Sequence, residues 1–168
     1  MRLTFAMLAI GLATLAPARA QSPEWQIYKP DGGGFSIKMP GKPDLKTEQR
    51  NGRPTYSALV GIDKSIAGAD LVFLVKYQAS EKTPGPETEA ILAKVIAALA
   101  EGGKVLSQKT EMLGSYPAVR FAVEDADKDT SEMRAVITDR YFIQAIFLGP
   151  IGNPLGKEFL DSFSITAP

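Results

Sequence analysis

Two stretches of the chain are apolar at almost every position: Leu71-Val72-Phe73-Leu74-Val75-Lys76-Tyr77 and Phe142-Ile143-Gln144-Ala145-Ile146-Phe147-Leu148. A strand shows alternate side chains to opposite faces of its sheet. A run without alternation therefore predicts a central strand covered on both sides. A sheet with two such strands needs a layer on each face, at least over its middle.

The segments around these runs are short and punctuated by turns. Residues 25–28 form a strand candidate. Lys29-Pro30-Asp31-Gly32-Gly33-Gly34 is a turn, and Phe35-Ser36-Ile37-Lys38-Met39 alternates strictly, which predicts one buried and one wet face. Residues 46–50 and 55–62 flank Asn51-Gly52, a dipeptide suited to a tight hairpin. Pro54, just past that turn, favours an edge position because it has no N–H to give a neighbour. Four further strands are predicted over 105–112, 118–123, 133–138 and 141–148.

Helix signals are concentrated in two places. Over 87–101, Ile91, Val95 and Leu99 fall on one stripe with Leu92 and Ile96 beside it. Pro84 and Pro86 precede this segment, Glu87 and Glu89 suit its positive end, and Gly102-Gly103 stops it. Over 154–163, Asn153 is a cap and Pro154 the first helical residue, with Phe159, Leu160 and Phe163 on the buried side. The order of strands, helix, strands, helix predicts an α+β fold: a mostly antiparallel sheet sandwiched between helices. No repeat or long linker divides the chain.

The N-terminus carries an export signal. Met1-Arg2 is a short positive start, residues 3–16 are uncharged and mostly apolar, Pro17 breaks the run, and Ala18-Arg19-Ala20 places small residues at a peptidase site. Cleavage is expected between Ala20 and Gln21, so residues 1–20 are a signal peptide and 21–168 a single domain, periplasmic or secreted. A buried N-terminal helix and a retained anchor are the alternatives. The apolar run is short of the roughly 20 residues a membrane span needs, so no stable membrane anchor is expected after cleavage.

Composition narrows function mainly by exclusion. Removing the signal leaves 17 basic and 19 acidic residues, a balance without the footprint of a nucleic-acid binder or a polybasic lipid binder. The chain has no cysteine, so the domain folds without disulfides and lacks thiol chemistry. It also has no histidine, which removes Ser-His-Asp catalysis and histidine-ligated metals. No catalytic residue and no cofactor-binding residue is assigned. One local cluster suggests a metal: Asp125, Asp127 and Asp129 have the 1, 3, 5 spacing of a calcium loop. That loop lacks its glycine, since Thr130 stands at position 6, and its bidentate glutamate, since Val136 stands at position 12. The other reading of the segment is a solvated hairpin turn. Trp25, Tyr28 and Phe35 are read as core, with an aromatic partner contact as the alternative.

Three segments resemble the PsbP-like superfamily: Gly34-Phe35-Ser36-Ile37-Lys38-Met39-Pro40-Gly41-Lys42-Pro43, Leu113-Gly114-Ser115-Tyr116-Pro117-Ala118 and Phe159-Leu160-Asp161-Ser162-Phe163. The resemblance implies an antiparallel sheet between helices and a non-enzymatic binding or accessory role, and it places the chain among exported bacterial members of unknown function. It implies no functional residue here, since the histidine-assisted metal chemistry of the photosynthetic branch has no counterpart in this chain. The expected function is a small exported, non-catalytic binding or accessory protein that meets a protein or cell-envelope partner. A hydrolase using carboxylates alone and a structural or stress-related envelope protein are the alternatives. A concave pocket of converging carboxylates would favour the hydrolase, and a flat apolar patch the partner module.

Overall fold

The computed structural model describes residues 23–80, 84–85, 87–100 and 103–166. The export segment and its cut at Ala20/Gln21 lie outside the described residues. The two apolar runs become neighbouring central strands, β5 (Leu71–Ala79) and β9 (Tyr141–Leu148), paired antiparallel with Phe73 opposite Phe147. Around them a seven-stranded sheet forms in the order β3-β4-β5-β9-β8-β7-β6. Its other strands are β3 (Asp44–Arg50), β4 (Arg53–Ile62), β6 (Lys104–Leu113), β7 (Tyr116–Glu124) and β8 (Thr130–Ile137). A separate three-stranded sheet pairs β1 (Gln26–Tyr28), β2 (Phe35–Met39) and β10 (Ser164–Ile165), with β2 in the middle. All of these pairings are antiparallel.

The expected α+β sandwich of a sheet between helices is therefore corrected to a β-rich fold of two antiparallel sheets. Among the described residues helices are few and short: α1 (Lys64–Ala67), α2 (Thr88–Leu99) and α3 (Pro154–Asp161). The reason lies in β2. Its strict alternation turns Phe35, Ile37 and Met39 inward, each at most 1% exposed, so a strand takes a place in the covering layer that a helix was expected to fill. Fully burying one such side chain contributes roughly 1.5–3 kcal/mol.

One face of the large sheet is sealed by this small sheet together with α3. Phe73, Val75, Tyr77, Ala145 and Phe147 of the large sheet meet Phe35, Ile37, Phe159 and Phe163 in one core. Ring contacts run through it, Phe73 edge-on to Phe159 at 5.5 Å and Phe35 edge-on to Phe163 at 5.9 Å. Trp25 and Tyr28 pack on this core, as the core reading expected, with Trp25 edge-on to Phe73 at 6.3 Å. Tyr77 stacks on Tyr56 at 4.9 Å, and its burial, with a hydrogen bond to Tyr28, pushes its hydroxyl far above the usual tyrosine range.

Helix α3 approaches this face closely because Gly156 has no side chain. A Cβ there would stand 2.5 Å from the Phe147 ring. Asn153 caps the helix as expected, its Oδ1 accepting from Leu155 N at 2.9 Å. An ion pair then ties the helix to β7, and a hydrogen bond ties it to β8. Arg120 reaches Asp161 and Glu132. Arg134 donates to Glu111 at 2.6 Å and to the Leu160 carbonyl at 2.7 Å. Burial works to raise the Asp161 carboxyl, but hydrogen bonds from Lys157 and Arg120 outweigh it and hold the group below the usual carboxylate range.

The other face has a smaller cover. Helix α2 packs against β7 and β8 through Leu92 and Ile96, each 3% exposed, over Val119, Phe121, Met133 and Ala135. The buried line is thus Leu92/Ile96, one step around the helix from the expected stripe, with Ile91 and Val95 half-buried at its flank. Beyond α2 the sheet is less covered. On this face Val72 and Leu74 are half-buried, Leu59 is 38% exposed and Leu148 is 41% exposed. The two-sided burial expected for the central strands is complete on the first face only.

Candidate functional site

A cavity of about 770 Å³, open to solvent, lies on this second face, at the end of the sheet where the cover by α2 runs out. Register builds its floor. Ser131 of β8 pairs with Val123 on one side and Leu148 on the other, so the three side chains share a row, and Met133 lies two residues further along β8 on the same face. All four line the cavity. Three connections form its walls: the β7–β8 turn, the Gly149-Pro150 segment after β9, and Ala69-Asp70 before β5.

Hydrogen bonds hold these walls in place. Thr130 Oγ1 donates to the Gly149 carbonyl at 2.8 Å, and Gly149 N donates back to the Thr130 carbonyl at 3.1 Å. Asp70 Oδ1 accepts from Lys64 N at 2.9 Å, which anchors the wall to the start of α1. Asp63 caps the same helix by accepting from Ser65 N, and hydrogen bonding from the Ser65 side chain and backbone holds its carboxyl below the usual range.

The acidic segment found in the sequence is the turn of this wall. Asp125 Oδ1 accepts from Asp127 N at 2.9 Å and Asp129 N at 3.0 Å, the pattern of an aspartate that folds its own turn. Lys128 takes a left-handed backbone, φ 72°, and its ammonium pairs with Glu124 at 2.9 Å. Asp125 and Asp129 line the cavity while Asp127 does not, so the three candidate ligands are not brought together. Among the described residues no group of three acidic side chains converges to hold a metal ion. The hairpin-turn reading describes the local geometry.

The electrostatic sign of the cavity is negative. Three carboxylates, Asp70, Asp125 and Asp129, line it against one lysine, and that lysine is already paired with Glu124. The sign is local. A smaller hollow of about 210 Å³, lined by Arg50, Lys76, Gln78 and Gln144, is cationic instead.

Ser131 was not singled out by the sequence, and it is the unusual group in the cavity. It is 8% exposed, and its hydroxyl has no hydrogen-bond partner among the described residues. No fully enclosed side-chain oxygen or nitrogen is left unpaired among those residues. The Ser131 hydroxyl therefore opens into the cavity it lines. Met133, Leu148 and Asp70 were likewise missed as site residues. Each lies in an ordinary strand or loop pattern, and only strand register and chain crossing bring them together.

No known family model matches the chain, and no curated protein is significantly similar to it. The likeness to PsbP-like proteins therefore rests on its three sequence segments. The structure places them at β2, at the β6–β7 turn and at the end of α3. All three lie on the sealed face or its edge, away from the cavity.

Proposed function

We propose that this chain is a small exported, non-catalytic binding protein of the periplasm, and that the cavity between the β7–β8 turn and the end of β9 is its binding site. The cavity itself carries the reading. Its volume falls in the range of about 300–1,000 Å³ typical of small-molecule sites, and it joins an apolar floor to a few polar groups. The rim favours binding over hydrolysis. Asp125 and Asp70 each spend a carboxylate oxygen on backbone N–H groups that shape the wall. Export rests on the N-terminal signal pattern.

Expression of the full chain in a Gram-negative host tests the compartment. A periplasmic product beginning at Gln21 is expected, and a cytoplasmic product beginning at Met1 would overturn it. The exported product then tests the site. An environment-sensitive apolar dye should bind it, and Leu148→Arg, which fills the cavity floor with a long charged side chain, should abolish that binding without unfolding the protein. Dye binding unchanged by this variant places the site elsewhere.

A further inference from the structure

The chemistry of the cavity also specifies its ligand. Resting on the reading above, we propose that the cavity takes a small organic cation: an apolar body carrying a primary ammonium group.

Three independent features converge on this class. The floor of Val123, Met133 and Leu148 offers apolar area that gains from removal of water, at roughly 25 cal/mol per Å² buried. The rim is net negative, because Asp70, Asp125 and Asp129 face one lysine whose charge Glu124 offsets. Such a rim attracts cations and repels carboxylates, phosphates and sulfates. The third feature is Ser131, a residue more than nine-tenths buried whose hydroxyl has no partner among the described residues and opens into the space. A hydroxyl that opens to the cavity without a partner among the described residues is free to accept from a ligand N–H in place of water. Ser131 lies two residues from Asp129 and in the floor row next to the acidic turn. Ser131 and the aspartates line the same cavity as Met133, so a ligand can turn its ammonium to the rim and lay its apolar body on the floor. Asp129 is the clearest charge to remove, since its carboxylate holds no bond that shapes the turn, whereas that of Asp125 holds two.

Four probes with one apolar body separate the contributions: octylammonium, octyltrimethylammonium, octanol and octanoate, titrated into the exported protein by calorimetry at low salt. Octylammonium should bind about fivefold tighter than octanol, with octanoate weakest, and the preference should shrink as salt is raised. Asp129→Asn should cut the ammonium preference by about half and leave octanol unchanged. Ser131→Ala should weaken octylammonium about threefold and leave octyltrimethylammonium unchanged, since the quaternary group has no N–H to donate. Equal binding of octylammonium and octanol, or tighter binding of octanoate, overturns the charge assignment while leaving a binding cavity. An ammonium preference that survives Asp129→Asn intact overturns the assignment to this rim. Absence of binding by all four probes removes the binding-site reading as well.

Discussion

The two faces of the large sheet are made from the same strands, yet they end differently. One face is closed by a second sheet, a helix and a set of ion pairs, and its aromatic core has almost no exposed surface. The other is covered by a single helix over two strands, and apolar side chains such as Leu148 and Leu59 stay partly exposed beside it. The difference shows where a fold of this kind can place a ligand. A closed face holds the structure together, and a face whose cover stops partway leaves an apolar floor with room above it. The cavity sits at that boundary, and the connections that wall it come from three separate parts of the chain.

The contrast can be broken by mutation. The largest effect is expected on the sealed face. Phe159→Ala removes a fully buried ring that packs on Phe73, and should cost about 3–5 kcal/mol in urea unfolding. Leu92→Ala, the corresponding deletion under α2, should cost about 2–3 kcal/mol. Equal losses at the two sites would mean that the single helix is built into the fold as firmly as the whole opposite layer. A smaller change sharpens the same point. Gly156→Ala puts a methyl group against the Phe147 ring and should cost about 1–2 kcal/mol by forcing α3 away from the sheet. Wild-type stability in that variant would show that the helix tolerates a looser seat.

The smallest effect is electrostatic and depends on pH. The Asp161 carboxyl is held below its ordinary range in the folded protein. Such a group stabilises the fold above its unfolded pKa, near pH 4, and loses that contribution as pH falls through the depressed folded value. Asp161→Asn should therefore lower the thermal midpoint at pH 7, with the gap to wild type closing below pH 4. A gap that stays constant down to pH 2 would remove the ion pairs of Asp161 from the account of how α3 is held.

Much of the secondary structure was legible because it depends on local chemistry. The run 141–148 is strand β9 at those bounds, and Asn153-Pro154 opens α3 where a cap followed by proline should. Asn51-Gly52 makes the predicted hairpin, with both residues at positive φ. Pro54 pairs only with β3, beyond the last residue of β4 that reaches β5, which spares the ladder its missing N–H. The four-residue helix α1 was missed, being little more than one turn and carrying no periodic signal. The buried side of α2 was misplaced by one position, because five apolar residues spread around that segment and only the sheet beneath decides which of them face inward.

The candidate site was legible only in part. The acidic turn stood out by composition, and its geometry is what its aspartates dictate locally. Its place on a cavity wall could not be read, since the floor comes from register across β7, β8 and β9, and a one-residue slip would turn Ser131 and Leu148 to the opposite face.

By itself the sequence determined the strand-rich pattern, the two central strands, the turns and helix caps, and the absence of thiol and imidazole chemistry. Each of these depends on residue type and short-range spacing, which a chain carries before it folds. Tertiary structure alone decided that a small sheet and a helix together form the closing layer, that one face is left half open, and that Ser131 and three aspartates line one cavity with an apolar floor. Those outcomes depend on pairings between residues far apart in the chain, such as Phe35 with Ile165 and Val72 with Leu148. Such contacts exist only once the competing ways of burying the same apolar surface have been settled.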